Sequence, residues 1–151
     1  MKLNLPLKLY FPRQRDKDKP YYLNLNVYRS THFRVLNNAK KIYKKLVWEA
    51  TLEAGMKPDR LLLTAPYRLV YTLHAASRRE IDVANVLSVV DKFTSDALCE
   101  LGYWPDDNYK FIREVCYRFG SIDPDNPRAE LVVEEFREEI NDEKQQTLDF
   151  G

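Results

Sequence analysis

Four aspartates and one lysine between residues 80 and 110 have the types and spacing needed for metal-assisted chemistry on a phosphate. They are Asp82, Lys92, Asp96, Asp106 and Asp107. Converging carboxylates offer the oxygen ligands that Mg²⁺ prefers, and because that ion retains several waters, two to four carboxylates are enough. Beside a phosphodiester, such an ion activates water and stabilises the charge that develops on phosphorus, while a lysine positions the phosphate.

One predicted helix carries Lys92 and Asp96 and separates Asp82 from Asp106 and Asp107. Apolar residues recur at helical spacing from 83 to 101, and Gly102 is a stop signal. Such a helix is about 28 Å long, so Asp82 and Asp107 meet only if the next segment folds back or a second subunit joins the two ends. At about 100° per residue, the face opposite the apolar stripe carries three polar residues, Asn85, Lys92 and Asp96.

Each of these residues also has an ordinary structural explanation. Asp82 fits the N-cap of the helix, with Asn85 at the N3 position. Lys92 and Asp96 are four residues apart and can form an exposed ion pair of about 0.3–0.5 kcal/mol. The remaining polar residues follow a proline, in a run typical of turns: Asp106, Asp107 and Asn108.

The composition predicts one cytoplasmic domain. The chain has 151 residues, is 44% hydrophobic, and shows neither a signal peptide nor an apolar run long enough for a bilayer. We therefore expect no membrane contact. Cys99 and Cys116 lack metal-ligand spacing and are interpreted as buried thiols of a reducing compartment. His32 and His74 are interpreted as structural or surface residues, and a zinc site is not expected.

Charge is distributed unevenly along the chain. Residues 1–60 hold 14 Lys/Arg and 5 Asp/Glu, residues 61–120 hold 7 and 8, and residues 121–151 hold 3 and 10. The basic front indicates a polyanionic partner, although lysines that merely solvate a helix would give the same count.

The hydrophobic pattern predicts the order β-β-α-β-α-β-β, which is an α/β fold. We expect a small mixed sheet flanked by two main helices over residues 1–137, and a mobile acidic tail over 138–151. The predicted helices span 39–54 and 83–101, and the predicted extended segments span 3–11, 21–29, 67–76, 111–119 and 129–136.

The stretch from 80 to 110 resembles the RusA-like family of Holliday-junction resolvases, many of them encoded by phages. The family pattern is an Asp-x-Asp-Asn element that opens a helix, a lysine on that helix, Asp-Ala-Leu, a glycine and an Asp-Asp doublet. The matching residues here are Asp82, Asn85, Lys92, Asp96, Ala97, Leu98, Gly102, Asp106 and Asp107.

The resemblance implies a homodimeric endonuclease that cuts branched DNA with Mg²⁺, for which Mn²⁺ can substitute. It implies metal-binding roles for Asp82, Asp106 and Asp107, and catalytic roles for Asp82, Lys92, Asp96 and Asp107. A dimer would supply one site for each strand to be nicked.

This sequence departs from the family pattern at two points, of which Ala84 favours a different function. Ala84 stands where the family has its second acid, and the stretch from Asn85 to Asp96 is about one helical turn longer than in the shortest members. The alternative is a branched-DNA-binding or clamp-associated accessory protein that keeps the fold without catalysis.

Basic residues of the front half are the predicted DNA contacts, together with Lys110. Lysine and arginine at loose spacing bind phosphates and give affinity without base readout. Four aromatic residues could stack on unpaired bases or belong to the core: Tyr21, Tyr22, Tyr28 and Phe33. The predicted phosphate contacts are Arg13, Arg15, Lys17, Lys19, Arg29, Arg34, Lys40, Lys44 and Lys110.

The chain ends in QQTLDFG, which resembles the short peptide that docks on sliding clamps. Gln145 would be the polar anchor, and Leu148 and Phe150 the apolar anchors. A peptide at the end of an acidic tail can fold as it binds. The alternative is a chain end with a stray leucine and phenylalanine.

Overall fold

The computed structural model describes residues 1–12, 15 and 19–139. The helices are α1 (Leu25–Ser30), α2 (Phe33–Glu53), α3 (Pro58–Leu62) and α4 (Val83–Glu100). The strands are β1 (Lys2–Leu5), β2 (Lys8–Leu9), β3 (Tyr21–Tyr22), β4 (Tyr67–Ala75), β5 (Ile112–Ile122) and β6 (Arg128–Glu135). None of the helices in this part of the chain is long and apolar enough to cross a bilayer.

The fold is α/β, as predicted, with a mixed four-stranded sheet in the order β1-β6-β4-β5. β6 runs antiparallel to both β1 and β4, while β4 and β5 are parallel. The short strands β2 and β3 form a separate antiparallel pair. The predicted pairing of the first two extended segments is therefore confirmed, but only over two residues of each.

Helices α2 and α4 pack together over one face of the sheet. Alternate residues of β4, from Tyr67 to Leu73, turn toward these helices and are buried. Since α4 connects two parallel strands, it must run antiparallel to both. Its N-terminus therefore lies at the carboxyl ends of β4 and β5, and its C-terminus lies at their amino ends.

The other face of the sheet is polar. His74 contacts Ser121 Oγ through Nδ1 at 2.7 Å, and its Nε2 lies 3.4 Å from a carboxylate oxygen of Glu130. Glu130 also pairs with Lys2 and Arg128. His74 is therefore part of a surface polar network, in line with its interpretation as a structural or surface residue.

The prediction of an extended segment over 21–29 is wrong beyond Tyr22, because α1 begins at Leu25. The side chain of Asn24 caps this helix by accepting a hydrogen bond from the N–H of Val27 at 2.9 Å. Asn85, on α4, accepts a second one from the N–H of Leu25 at 2.8 Å. These caps satisfy N–H groups at the helix start, which favours a helix over the strand that the alternation indicated.

Helix α2 begins at Phe33, six residues before the predicted start at Ala39. Its N-cap is His32, whose Nδ1 accepts from the N–H of Arg34 at 3.3 Å. The first residues of α2 are mostly exposed, so they lack the apolar periodicity on which the prediction depended. Helix α3 is not among the elements predicted from the sequence, where Lys57, Pro58, Asp59 and Arg60 indicate a loop. The predicted mobile tail from 138 lies almost entirely outside the described residues.

Candidate functional site

Asp82 is the N-cap of α4 and is exposed at the carboxyl end of β4. Its Oδ1 accepts hydrogen bonds from the N–H groups of Ala84 at 3.1 Å and Asn85 at 3.3 Å. Oδ2 takes no part in these two bonds, and the residue is exposed. Asp82 therefore has the capping role, and it retains an oxygen that is placed to bind a cation or a water.

A cavity of about 550 Å³ opens beside Asp82 at the start of α4. Lys8 and Arg79 bring positive charge to its lining, and the ring of Tyr22 is 51% exposed there. Glu80 and Asp82 also line the cavity, so it carries charges of both signs beside an accessible aromatic ring. Lys8 and Arg79 were not among the predicted DNA contacts, although Arg78 and Arg79 precede Asp82 closely in the sequence.

Asp106 and Asp107 lie in the turn between α4 and β5, at the opposite end of the helix. Asp106 Oδ1 accepts from the N–H of Asp107 at 2.8 Å, and Oδ2 accepts from Asn108 Nδ2 at 2.8 Å. The bond from Asn108 and those from Asp107 lower the pKa of Asp106. Burial and the neighbouring Asp106 raise the pKa of Asp107. The turn thus holds a firmly ionised carboxylate beside one whose negative charge is disfavoured.

Asp96 lies near this pair but is engaged with helix α2. Its Oδ2 is 3.4 Å from Lys40 Nζ, and one turn further on Glu100 lies 2.7 Å from Lys44 Nζ. Asp96 therefore forms an ion pair between two helices, in place of the predicted ion pair with Lys92 within α4. Lys92 is exposed. Two predicted DNA contacts, Lys40 and Lys44, therefore join α2 to α4.

The pKa of the free Cys99 thiol reflects the negative charge at this end of α4. Burial, followed by the charges of Asp107, Asp106 and Asp96, raises its pKa to about 11. Three predicted site carboxylates therefore share one negative electrostatic environment. Because the shift is upward, the thiol is protonated at neutral pH and is a poor nucleophile.

The single chain does not unite all the predicted metal ligands. Asp82 and the Asp106–Asp107 pair lie at opposite ends of α4, whose 18 residues span about 27 Å. Within residues 1–12, 15 and 19–139, no group of three His, Cys, Asp or Glu side chains could hold a metal ion. The chain therefore does not fold back to bring the two ends of α4 together. A second subunit is the other way in which they could meet.

Asp91 is a carboxylate that the sequence analysis missed. It lies at the midpoint of α4, where its Oδ2 accepts from the Tyr117 hydroxyl at 2.6 Å and its Oδ1 accepts from Ser95 at 3.0 Å. The sequence indicates no role for Asp91 beyond its position directly before Lys92, because its partner Tyr117 is 26 residues away.

The predicted DNA contacts fall into three groups. Arg13 and Lys17 lie outside the described residues, and Lys40 and Lys44 are held in ion pairs. The others are exposed: Arg15, Lys19, Arg29, Arg34 and Lys110. The predicted clamp-binding residues lie outside the described residues: Gln145, Leu148 and Phe150.

Two of the four aromatic residues considered for base stacking are accessible. Phe33 is 62% exposed at the start of α2, next to Arg34, and Tyr22 is 51% exposed at the cavity. Tyr21 packs edge-on against Phe11, and Tyr28 packs edge-on against Phe93 in the core.

No protein-family model matches this chain, and no curated protein matches it. The resemblance to RusA-like resolvases therefore depends on the residues from 80 to 110 alone.

Proposed function

We propose that this protein is an Mg²⁺-dependent endonuclease that cleaves four-way or related branched DNA. The observation that carries the proposal is the Asp106–Asp107 pair at the exposed end of α4. Burial and then the neighbouring Asp106 disfavour the charge on Asp107, and a bound divalent cation would offset both effects. Two adjacent carboxylates, one of which is disfavoured in its charged form, are suitable ligands for a cation.

The donor set fits Mg²⁺ in part. Asp106 and Asp107 would hold an ion that keeps most of its waters, since Mg²⁺ is commonly bound by one or two carboxylates. Bound there, Mg²⁺ would supply a nucleophilic water and charge stabilisation at phosphorus. Lys110 is exposed on the same turn and would hold a DNA phosphate. A third carboxylate, Asp82, would have to come from another copy of the chain.

Exposed cationic and aromatic side chains support DNA as the substrate. Arg29 and Arg34 flank the corner between α1 and α2, and the ring of Phe33 is 62% exposed there, 5.8 Å from the Arg34 guanidinium. Phosphate contacts supply affinity, while an exposed ring stacks on any unpaired base. This combination favours recognition of branched structure over sequence.

The second candidate is a branched-DNA-binding accessory protein without catalysis. It is favoured by Ala84, which removes one family carboxylate, and by the ion pair that engages Asp96 with Lys40. Under either function, the terminal peptide with Gln145, Leu148 and Phe150 would add docking on a sliding clamp.

The deciding experiment is cleavage of a labelled synthetic four-way junction, compared with a linear duplex of the same sequence. Each substrate is incubated with Mg²⁺, Mn²⁺ or EDTA, and with the wild type, Asp107→Asn and Asp59→Asn. Asp59 is an exposed aspartate on α3, so its variant is a matched control for the loss of one charge. We expect metal-dependent cuts near the branch that only Asp107→Asn abolishes. Junction binding without cleavage at any metal concentration would favour the accessory protein.

A further inference from the structure

Helix α2 carries a basic stripe on the face that points away from the core. At about 100° per residue, the exposed side chains of Arg34, Lys41 and Lys45 fall within about 40° of one another. The buried residues Tyr43 and Ala50 lie on the opposite side of the helix. Both glutamates of α2 fall about 40° or more outside the stripe. The stripe is therefore purely cationic.

Trp48 lies on the same stripe and is 46% exposed, whereas Trp104, the other tryptophan of the chain, is buried. Lys44 is held by the ion pair described above, but in the described part of the chain no carboxylate pairs with Lys41 or Lys45. Beside Trp48 is a shallow depression of about 290 Å³. Its other lining residues are Lys41, Lys44, Lys45 and Leu101.

A second exposed ring lies at the other end of α2. Phe33 is 62% exposed, and the guanidinium of Arg34 is 5.8 Å from its ring. Phe33 and Trp48 are 15 positions apart, which is about 22 Å along the helix axis. At about 3.4 Å per nucleotide, this length corresponds to about six nucleotides of a stacked strand. The exposed face of α2 thus has an aromatic ring near each end and cations between them.

We propose that this face of α2 binds an unpaired DNA strand, with a base stacked on Trp48 and phosphates held by Lys41 and Lys45. Cationic side chains attract the phosphates of any DNA, but an exposed ring stacks only on a base that has left its own duplex. The preferred substrate is then a branched DNA with a single-stranded arm, such as a fork or a flap, and a fully paired four-way junction is bound less well. This inference rests on the proposed function, because it names the kind of branched DNA that the endonuclease would cut.

An acidic peptide is the competing ligand, because Leu52 continues the stripe beyond Trp48 and is 59% exposed. The distribution of charge favours the nucleic acid. Arg34, Lys41 and Lys45 spread positive charge over about 16 Å of the helix, and a DNA strand presents a phosphate at every step along that length. A peptide helix instead docks its apolar anchors in a hydrophobic groove, whereas three of the five residues that line the depression are lysines.

The first test is the intrinsic tryptophan fluorescence of the full chain, titrated with DNA in EDTA so that no strand is cut. Because Trp104 is buried, quenching by a stacked base reports Trp48. We expect a single strand, and a fork with a single-stranded arm, to quench the emission strongly. A fully paired four-way junction of matched sequence should quench it much less. Trp48→Leu, in which Trp104 is the only tryptophan left, should remove the response.

The affinity for a labelled fork, measured by fluorescence anisotropy in EDTA, separates stacking from a general apolar contact. Trp48→Leu keeps an apolar side chain but loses the ring, and should weaken fork binding about tenfold. Trp48→Phe keeps a ring and should bind within about threefold of the wild type. Leu63→Ala removes an apolar side chain that is 86% exposed outside α2, and is the matched control. Circular dichroism verifies the fold of each variant.

Three results would overturn the inference. They are equal affinity for the fork and the fully paired junction, equal fork binding by the wild type and Trp48→Leu, and tighter binding of a peptide of residues 138–151 than of single-stranded DNA at this face. Incubation with Mg²⁺ distinguishes the inference from the proposed function. Cleavage of the four-way junction without a preference for the fork would reject only the inference. A fork preference that depends on Trp48, without cleavage, would support the binding face and reject the nuclease.

Discussion

The hydroxyl of Tyr117 donates a hydrogen bond of 2.6 Å to Asp91 Oδ2, which joins the midpoint of α4 to the edge strand β5. Burial, and then this bond to a carboxylate, raise the pKa of Tyr117. Ser95 donates to the other oxygen of Asp91 at 3.0 Å. The contact fixes how α4 lies over the sheet, and thus where the two acidic ends of the helix point.

Tyr117→Phe should lower the free energy of unfolding by about 1–2 kcal/mol, because Asp91 loses a charge-assisted hydrogen bond but keeps its bond from Ser95. Urea unfolding followed by circular dichroism measures the change. Tyr109→Phe is the matched control, since Tyr109 is 68% exposed and should change stability little. Equal effects of the two variants would contradict the role assigned to this bond.

Asp107→Asn should be slightly stabilising at neutral pH. A carboxyl whose pKa is raised by folding binds more protons in the native state, so its ionisation reduces stability as the pH rises through its ordinary value of 3.8 to the raised value. The gain should be a few tenths of a kcal/mol, because the group is largely solvated. It should vanish below pH 3.8.

Asp106→Asn should have the opposite sign. The lowered pKa of Asp106 contributes stability that is present above 3.8 and is lost as the pH falls through the lowered value. Thermal unfolding of both variants between pH 3 and 8 measures the two trends. If Asp106→Asn were the stabilising member of the pair, our description of the turn would be wrong.

Asn85→Ala should destabilise the corner between α1 and α4 by about 1–2 kcal/mol, since the N–H of Leu25 loses its acceptor. Asn85→Asp keeps an acceptor oxygen and should restore most of this loss. Hydrogen exchange of the Leu25 amide gives a local readout beside global unfolding by urea. Unchanged protection of that amide in Asn85→Ala would contradict the capping role.

The exposed lysines of α2 should contribute more to DNA affinity than the paired ones. Each phosphate contact changes the slope of log K against log salt by about 0.9, so Lys41→Ala with Lys45→Ala should reduce the slope by up to about 1.8. Lys40→Ala with Lys44→Ala should reduce it less, because Asp96 and Glu100 already neutralise these side chains. Fluorescence anisotropy over a salt series, with a labelled junction, compares the two double variants.

A mixed dimer of Asp82→Asn and Asp107→Asn protomers should regain junction cleavage. If each site combines Asp82 of one protomer with the partner's Asp107, one of the two sites in the mixed dimer is intact, whereas both homodimers have none. We expect single nicks and about half of the wild-type rate. Inactive mixtures alongside an active wild type would show that each site belongs to one protomer.

Local rules of the chain are enough to predict much of the fold. Periodicity, the capping aspartate and Gly102 predict α4 to within one residue, because these signals act between near neighbours. The alternation of Tyr67–Ala75 likewise predicts β4, and the pattern of helices and strands predicts an α/β fold. The sequence by itself therefore determined that acids stand at both ends of a long helix.

Only the tertiary structure decided what those side chains contact. Asn85 accepts a hydrogen bond from the N–H of Leu25, which is 60 residues away in the chain. Tyr117 donates one to Asp91, which is 26 residues away. Asp96 pairs with Lys40 of a different helix instead of with Lys92, its neighbour on α4. Such partners are selected by the packing of α1, α2 and α4 on the sheet. Packing depends on the whole core, and spacing along one segment does not encode it.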